Sequence, residues 1–171
     1  MMNIANMGRK LARSSLLLLT AAMLAGCNAP AGAPAGDPPL AGAKIGGPFT
    51  LTDQDGKTVR DSDFAGKYRL VYFGYSYCPD ICPVDLQKLM RGLSAFEKSD
   101  PARGASIAPM FITVDPERDT PAALKAFVGR YHPRLLGLTG TPEQIAAVAK
   151  AYVVTYNKVP GSAPDRYLMA H

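Results

Sequence analysis

Tyr68-Arg69-Leu70-Val71-Tyr72-Phe73-Gly74-Tyr75-Ser76-Tyr77-Cys78-Pro79-Asp80-Ile81-Cys82-Pro83 is a short apolar, aromatic and β-branched run that stops at two cysteines. Its composition is that of a buried strand, and Leu86, Leu89, Met90, Leu93 and Phe96 recur behind it at helical spacing through residues 84–97. Two thiols therefore sit on a strand-to-helix turn. Pro83 suits the first helical position, where its missing N–H removes a donor that would be orphaned anyway. Cys82 is then the expected cap, and Cys78 lies one turn before it, thiol facing thiol.

Composition bounds what those thiols can serve. The chain has 171 residues, 47% hydrophobic and 19% charged, enough for one packed core. Arg9, Lys10 and Arg13 precede an apolar run over residues 16–25 that is too short to span a bilayer as a helix, and Leu24-Ala25-Gly26-Cys27 resembles a bacterial lipobox. Residues 1–26 are thus expected to be a lipoprotein signal peptide, with Cys27 diacylated. Residues 27–43 are almost all Ala, Pro and Gly, a tether rather than a packed segment. A domain over residues 44–171 would then sit, lipid-anchored, on the extracytoplasmic face of a bacterial envelope membrane. Of the formal charge of +5, three positive charges lie in the leader, leaving +2. The remaining Lys and Arg form no stripe, so no nucleic-acid partner is implied.

The rest of the domain alternates strands and helices. Residues 48–59 alternate apolar and polar around Asp55-Gly56, the signature of a β-hairpin. Residues 108–114 read as a buried strand. Thr120 and Pro121 then cap and open a helix with Leu124, Phe127, Val128 and Tyr131 on one face. Residues 135–138 form a third strand before the capping box that starts at Thr141 and opens a helix through about Tyr152. The fold class is α/β, a central sheet covered by helices, with functional groups on loops at strand ends.

A Cys-x3-Cys pair at a helix N-terminus, where the dipole favours thiolate, can be a redox couple, a soft-metal site or a structural disulfide. A disulfide closing so small a loop constrains the unfolded chain little. Two thiols are two ligands short of a structural zinc site, whereas Cu(I) is soft and accepts low coordination. The sequence has two histidines that could add an imidazole. His132, just past a helix, reads as solvated and dipole-friendly. His171, the last residue, cannot be tied to the thiols by spacing.

Tyr72-Phe73-Gly74-Tyr75 with Cys78-Pro79-Asp80-Ile81-Cys82-Pro83, then Val114-Asp115-Pro116-Glu117-Arg118-Asp119-Thr120-Pro121, and Tyr167-Leu168 before His171, together resemble the Sco/SenC family. The resemblance runs from about Ile45 to His171. It implies a membrane-tethered, thioredoxin-like protein that binds copper, as Cu(I) or Cu(II), through Cys78, Cys82 and His171. It also implies a metallochaperone role in assembling the copper site of cytochrome c oxidase, with the copper-bearing oxidase subunit and other copper chaperones as partners. Asp115 falls in the family's loop near the metal without being a ligand.

Two departures bear on the site. Ala170 stands where the family has an acidic residue before the histidine, and family domains continue past that histidine through further strand and a closing helix. C-terminal elements are therefore expected to be missing, and a histidine beside its own carboxylate is expected to be loosely held. The alternative function is a thiol:disulfide reductase acting on oxidase-subunit cysteines through Cys78 and Cys82. Against it stand the Cys-x3-Cys spacing and the absence of a Trp before Cys78. A peroxidase reading lacks the Thr three residues before the reactive cysteine, where this chain has Tyr75.

Overall fold

The computed structural model describes residues 40–163 and 166–171, so the expected signal peptide, Cys27 and most of the expected tether lie outside the described residues. Lys44–His171 forms one compact unit. No helix among the described residues is long and apolar enough to cross a membrane.

The expected hairpin is β1 (Thr50–Asp53) and β2 (Thr58–Arg60), paired antiparallel. Its turn is closed by Asp53, whose Oδ1 accepts the N–H groups of Asp55 and Lys57 at 2.8 Å each, and by Gly56 at φ +78°. A 3-10 turn (Asp61–Phe64) leads to β3 (Tyr68–Gly74), the strand before the cysteines. The helix behind it, α1, spans Ile81–Ser99, followed by the short α2 (Pro101–Ala105). Then come β4 (Ile107–Thr113), α3 (Pro121–Val128), β5 (Leu136–Thr139) and α4 (Pro142–Ala151). Thr120 and Thr141 cap α3 and α4 as expected, each with Pro in the first turn behind it.

The sheet order is β2-β1-β5-β4-β3, with β3, β4 and β5 parallel and β1 antiparallel to β5. Inside this sheet β4 is apolar at nearly every position because both faces are covered. Its Ala108, Met110 and Ile112 face a core with Leu51, Leu138, Ile145 and Val148 beneath α4. Phe111 points the other way, among Leu86, Met90, Leu93, Leu124 and Phe127 of α1 and α3. This is the α/β arrangement read from the sequence, a central sheet flanked by helices.

No local pattern announces the last element. Strands β6 (Asn157–Ala163) and β7 (Arg166–Ala170) pair antiparallel as a separate two-stranded sheet, with an irregularity between Val159 and Ala163. Pro160 and Gly161 disguise β6, since both are depleted in strands.

His132 corrects an expectation. It is buried, not solvated, at 6% exposure. Its Nδ1 accepts the Arg134 N–H at 3.2 Å, which leaves the proton on Nε2, 3.2 Å from Glu97 Oε2. A polar ring tolerates burial when both nitrogens are partnered. The residue thus joins α1 to the chain before β5 and has no lone pair to offer a metal.

Candidate metal centre

Gly74 ends β3 where the thiols need room. A Cβ there would lie 2.9 Å from Tyr72 Cε1 and 3.1 Å from both Cys82 Sγ and Phe111 Cε2. The bare backbone is what lets the Cys82 sulfur settle against the strand end, at 0% exposure.

The helix start differs from expectation by two residues. Asp80 is the N-cap, with φ −137°, and Cys82 is the second helical residue, which puts Pro83 third. Pro83 still occupies a position whose N–H would have no partner within the helix. The Asp80 side chain makes no capping bond. The Cys82 N–H instead donates to Cys78 Sγ at 3.4 Å, so a sulfur takes the place of the usual capping oxygen.

That arrangement splits the two thiols chemically. Burial pushes Cys78 up, but the Cys82 N–H, the Cys82 thiol and the N–H groups of Asp80 and Ile81 outweigh it and hold Cys78 below the ordinary thiol value. Burial pushes Cys82 well up, and its thiol's bond to Cys78 acts in the same sense. Cys78 is half-buried and Cys82 buried, both free. Iodoacetamide at neutral pH is therefore expected to modify Cys78 at least about tenfold faster than Cys82, because thiolate character and access both favour it. Peptide mass spectrometry over time reads the rates, and equal rates would contradict the asymmetry.

His171 follows β7 directly, and the strand delivers it to the thiols. Its Nε2 lies 3.7 Å from Cys82 Sγ, its Nδ1 is 3.3 Å from the Met169 carbonyl, and its ring meets Tyr75 edge-on at 5.8 Å. The histidine expected to be loosely held is thus placed against Cys82 and Tyr75. Tyr75, Cys82, Val114 and Met169 pack as one buried cluster under the site. Above it, Cys78 and His171 line a cleft of about 400 Å³ with Ile81, Val159 and Leu168. A larger groove of about 690 Å³ along α1, with Arg91, Lys98 and Arg130, holds neither thiol nor imidazole.

Among the described residues no three His, Cys, Asp or Glu side chains form a ready-made metal cluster. The donor set nevertheless fits one ion. Zinc–thiolate and zinc–imidazole bonds are about 2.3 and 2.0 Å, and bonds of that length bridge 3.7 Å at an angle between tetrahedral and trigonal. Cys78 adds a second thiolate donor from the rim. Two thiolates and one imidazole suit a soft ion with low coordination.

Two buried carboxylates, whose roles sequence reasoning missed, fix the loops around this set. Asp119 accepts the Ser76 N–H at 2.9 Å, the Ser76 hydroxyl at 2.5 Å and the Thr113 hydroxyl at 2.6 Å, stapling the cysteine loop to the end of β4. Burial pushes its carboxyl above the ordinary value despite those bonds. Asp115 accepts Arg118 Nε at 2.5 Å and the Tyr167 hydroxyl at 2.7 Å. Both its oxygens are engaged in holding the loop and β7. The clustered Asp115-Pro116-Glu117-Arg118-Asp119 run was the available signal, but nothing local shows which acids turn inward.

Similarity to known proteins agrees with this geometry. The model of the SCO1/SenC family matches residues 37–171. The chain is 49% identical over 116 residues to Protein SenC of Rhodobacter capsulatus, covering 68% of this chain and 51% of that protein. It is 46% identical over 134 residues to Protein SCO1 homolog 1, mitochondrial, of Arabidopsis thaliana, covering 78% and 39%. The chain thus spans two-fifths to half the length of these curated relatives. Among solved structures, Bradyrhizobium japonicum ScoI with copper bound superposes with a TM-score of 0.68 at 45% identity, covering 74% of this chain and 78% of that one. The fold is thioredoxin-like, and the chain belongs to the SCO1/SenC family.

Proposed function

We propose that this chain binds copper through Cys78, Cys82 and His171 and delivers it, tethered to a membrane by Cys27, to the copper-bearing subunit during cytochrome c oxidase assembly. The observation that carries this reading is the approach of Cys82 Sγ and His171 Nε2 to 3.7 Å beside a Cys78 sulfur favoured as thiolate. Copper is the cargo here, and a cleft open to solvent suits an ion that must leave again. The copper-bound relative and the family resemblance support the choice of metal and pathway. Other copper chaperones would be the donors, and the extracytoplasmic face of the envelope the location. Titrating the reduced chain with Cu(II) is expected to raise a thiolate-to-copper charge-transfer band that saturates at one equivalent. A flat spectrum with both thiols intact would refute the copper reading.

A second reading has its own observation, the split between a low Cys78 and a high Cys82. In a thiol:disulfide reductase the Cys78 thiolate attacks one sulfur of a partner's disulfide and releases the other as thiolate. Cys82, losing its proton, then displaces the partner's remaining sulfur, so the pair is oxidised by two electrons and the partner reduced by two. Reduction of a disulfide-bonded oxidase-subunit peptide with copper chelated away would separate this activity from delivery.

A further inference from the structure

The hairpin that carries His171 shares no backbone ladder with the five-stranded sheet among the described residues. Something else must fix where it sits. Met169 packs into the buried cluster, and Lys158 pairs with Glu117 at 2.5 Å on the exposed side. A further polar link is a closed circuit on the loop after β4. Arg118 Nε donates to Asp115 Oδ2 at 2.5 Å, Arg118 Nη1 donates to the Tyr167 carbonyl at 3.0 Å, and the Tyr167 hydroxyl donates to Asp115 Oδ1 at 2.7 Å. The guanidinium also lies 3.6 Å from the centre of the Tyr167 ring, with Tyr77 at 4.9 Å and Tyr75 at 5.8 Å. Asp115 is 1% exposed at its side chain and Arg118 17%, so this is a charged pair inside an aromatic cage rather than a surface ion pair.

The circuit reaches the site by two routes. Successive strand residues alternate faces, so Tyr167, Met169 and His171 share one face of the β7 line, and a shift of Tyr167 along or across the strand moves His171 with it. The second route runs through Tyr75, whose ring centre is 5.8 Å from the Arg118 guanidinium and 5.8 Å from the His171 ring, edge-on to the latter.

We propose that Arg118 is a positioning residue for His171: through Tyr167 and Tyr75 it sets the distance between the imidazole and Cys82 without touching the metal. The inference rests on the copper reading only for its effect on metal, because the geometry it controls exists in the metal-free chain. Arginine is specific to the role. Its planar fork makes the two directed bonds and stacks on tyrosine, whereas lysine offers a point charge with neither property.

The test uses the full chain with Arg118→Ala, Arg118→Lys and Tyr167→Phe, against His171→Ala. Proton NMR of the metal-free chain reads the contact between the His171 and Tyr75 rings, and amide spectra confirm the fold. Arg118→Ala and Arg118→Lys are expected to lose that contact with the β3 and β4 signals unchanged, and Tyr167→Phe to weaken it. With Cu(II) added, Arg118→Ala should lower affinity by about 10- to 100-fold, as loss of outer partners of metal ligands does, and remove the imidazole nitrogen coupling from the electron paramagnetic resonance spectrum. Cu(I) affinity, carried by the two thiols, should change by less than about threefold, since neither thiol loses a contact. Retention of the ring contact in Arg118→Ala overturns the proposal whatever copper does. If Arg118→Ala unfolds the chain, Tyr167→Phe decides in the same way. Loss of the contact with Cu(II) binding unchanged, matched by an unchanged His171→Ala, leaves Arg118 as the positioning residue and removes His171 from the ligand set.

Discussion

Cys82→Ser is expected to abolish the thiolate-to-copper charge-transfer band and to weaken Cu(I) binding by at least about a thousandfold, since a hydroxyl is a hard donor that a soft ion rejects. The loss is larger than that of a rim contact because Cys82 stands at the junction of the set. Its N–H donates to Cys78 and its sulfur faces His171, at 0% exposure. Serine keeps the N–H, so the turn at the start of α1 should survive and the circular dichroism spectrum should be unchanged. Cys78→Ser should also abolish the band while leaving a hydroxyl that accepts the Cys82 N–H, whereas Cys78→Ala removes that acceptor, with a loss of about 1 kcal/mol in unfolding free energy, the usual cost of a lost cap. Competition with a Cu(I) chelator measures both serine variants. Wild-type affinity in Cys82→Ser would show that copper binds elsewhere.

Asp119→Ala is expected to cost about 2–4 kcal/mol of stability, because the Ser76 N–H and hydroxyl and the Thr113 hydroxyl lose a shared buried acceptor. The Thr113 hydroxyl also accepts the Asp115 N–H at 2.9 Å, so both loops should loosen together. Urea unfolding gives the energy, and an unchanged midpoint would contradict the staple. The same carboxyl gives a pH signature. Burial first, with Asp115 nearby as a smaller cause, raises its folded value above the ordinary 3.8. The folded chain then binds this proton more tightly than the unfolded chain does. The associated stability is full below 3.8 and is lost as pH rises through the raised folded value. Asp119→Asn should remove that part of the slope.

What could be read from the sequence was local. The strand before the cysteines, the helix behind them, the Asp-Gly hairpin and the Thr-Pro helix starts each announce themselves within a few residues, and each is present. What could not be read depends on partners far along the chain. Asp119 meets Ser76 across 43 residues, Tyr167 meets Asp115 across 52, and His132 meets Glu97 across 35. No periodicity encodes such pairings, so a histidine that reads as solvated turns out buried and an acidic run turns out to be scaffolding. The start of α1 lies two residues before its expected place for a different reason. Capping rules look for an oxygen, and here a cysteine sulfur accepts the N–H. The thiols were found by chemistry and spacing, but His171 reached the ligand set only through family resemblance, because its approach to Cys82 spans 89 residues.

The separateness of the β6–β7 hairpin bears on how an ion would leave. Elements joined to a core by side chains alone can detach in partial openings that cost less than unfolding the whole domain. On the copper reading, such a detachment withdraws the imidazole while both thiols, seated at the end of β3 and the start of α1, keep hold of the ion. A receiving protein could then offer its own ligand at the vacated position, so that copper changes hands by stepwise exchange and is never free in solution.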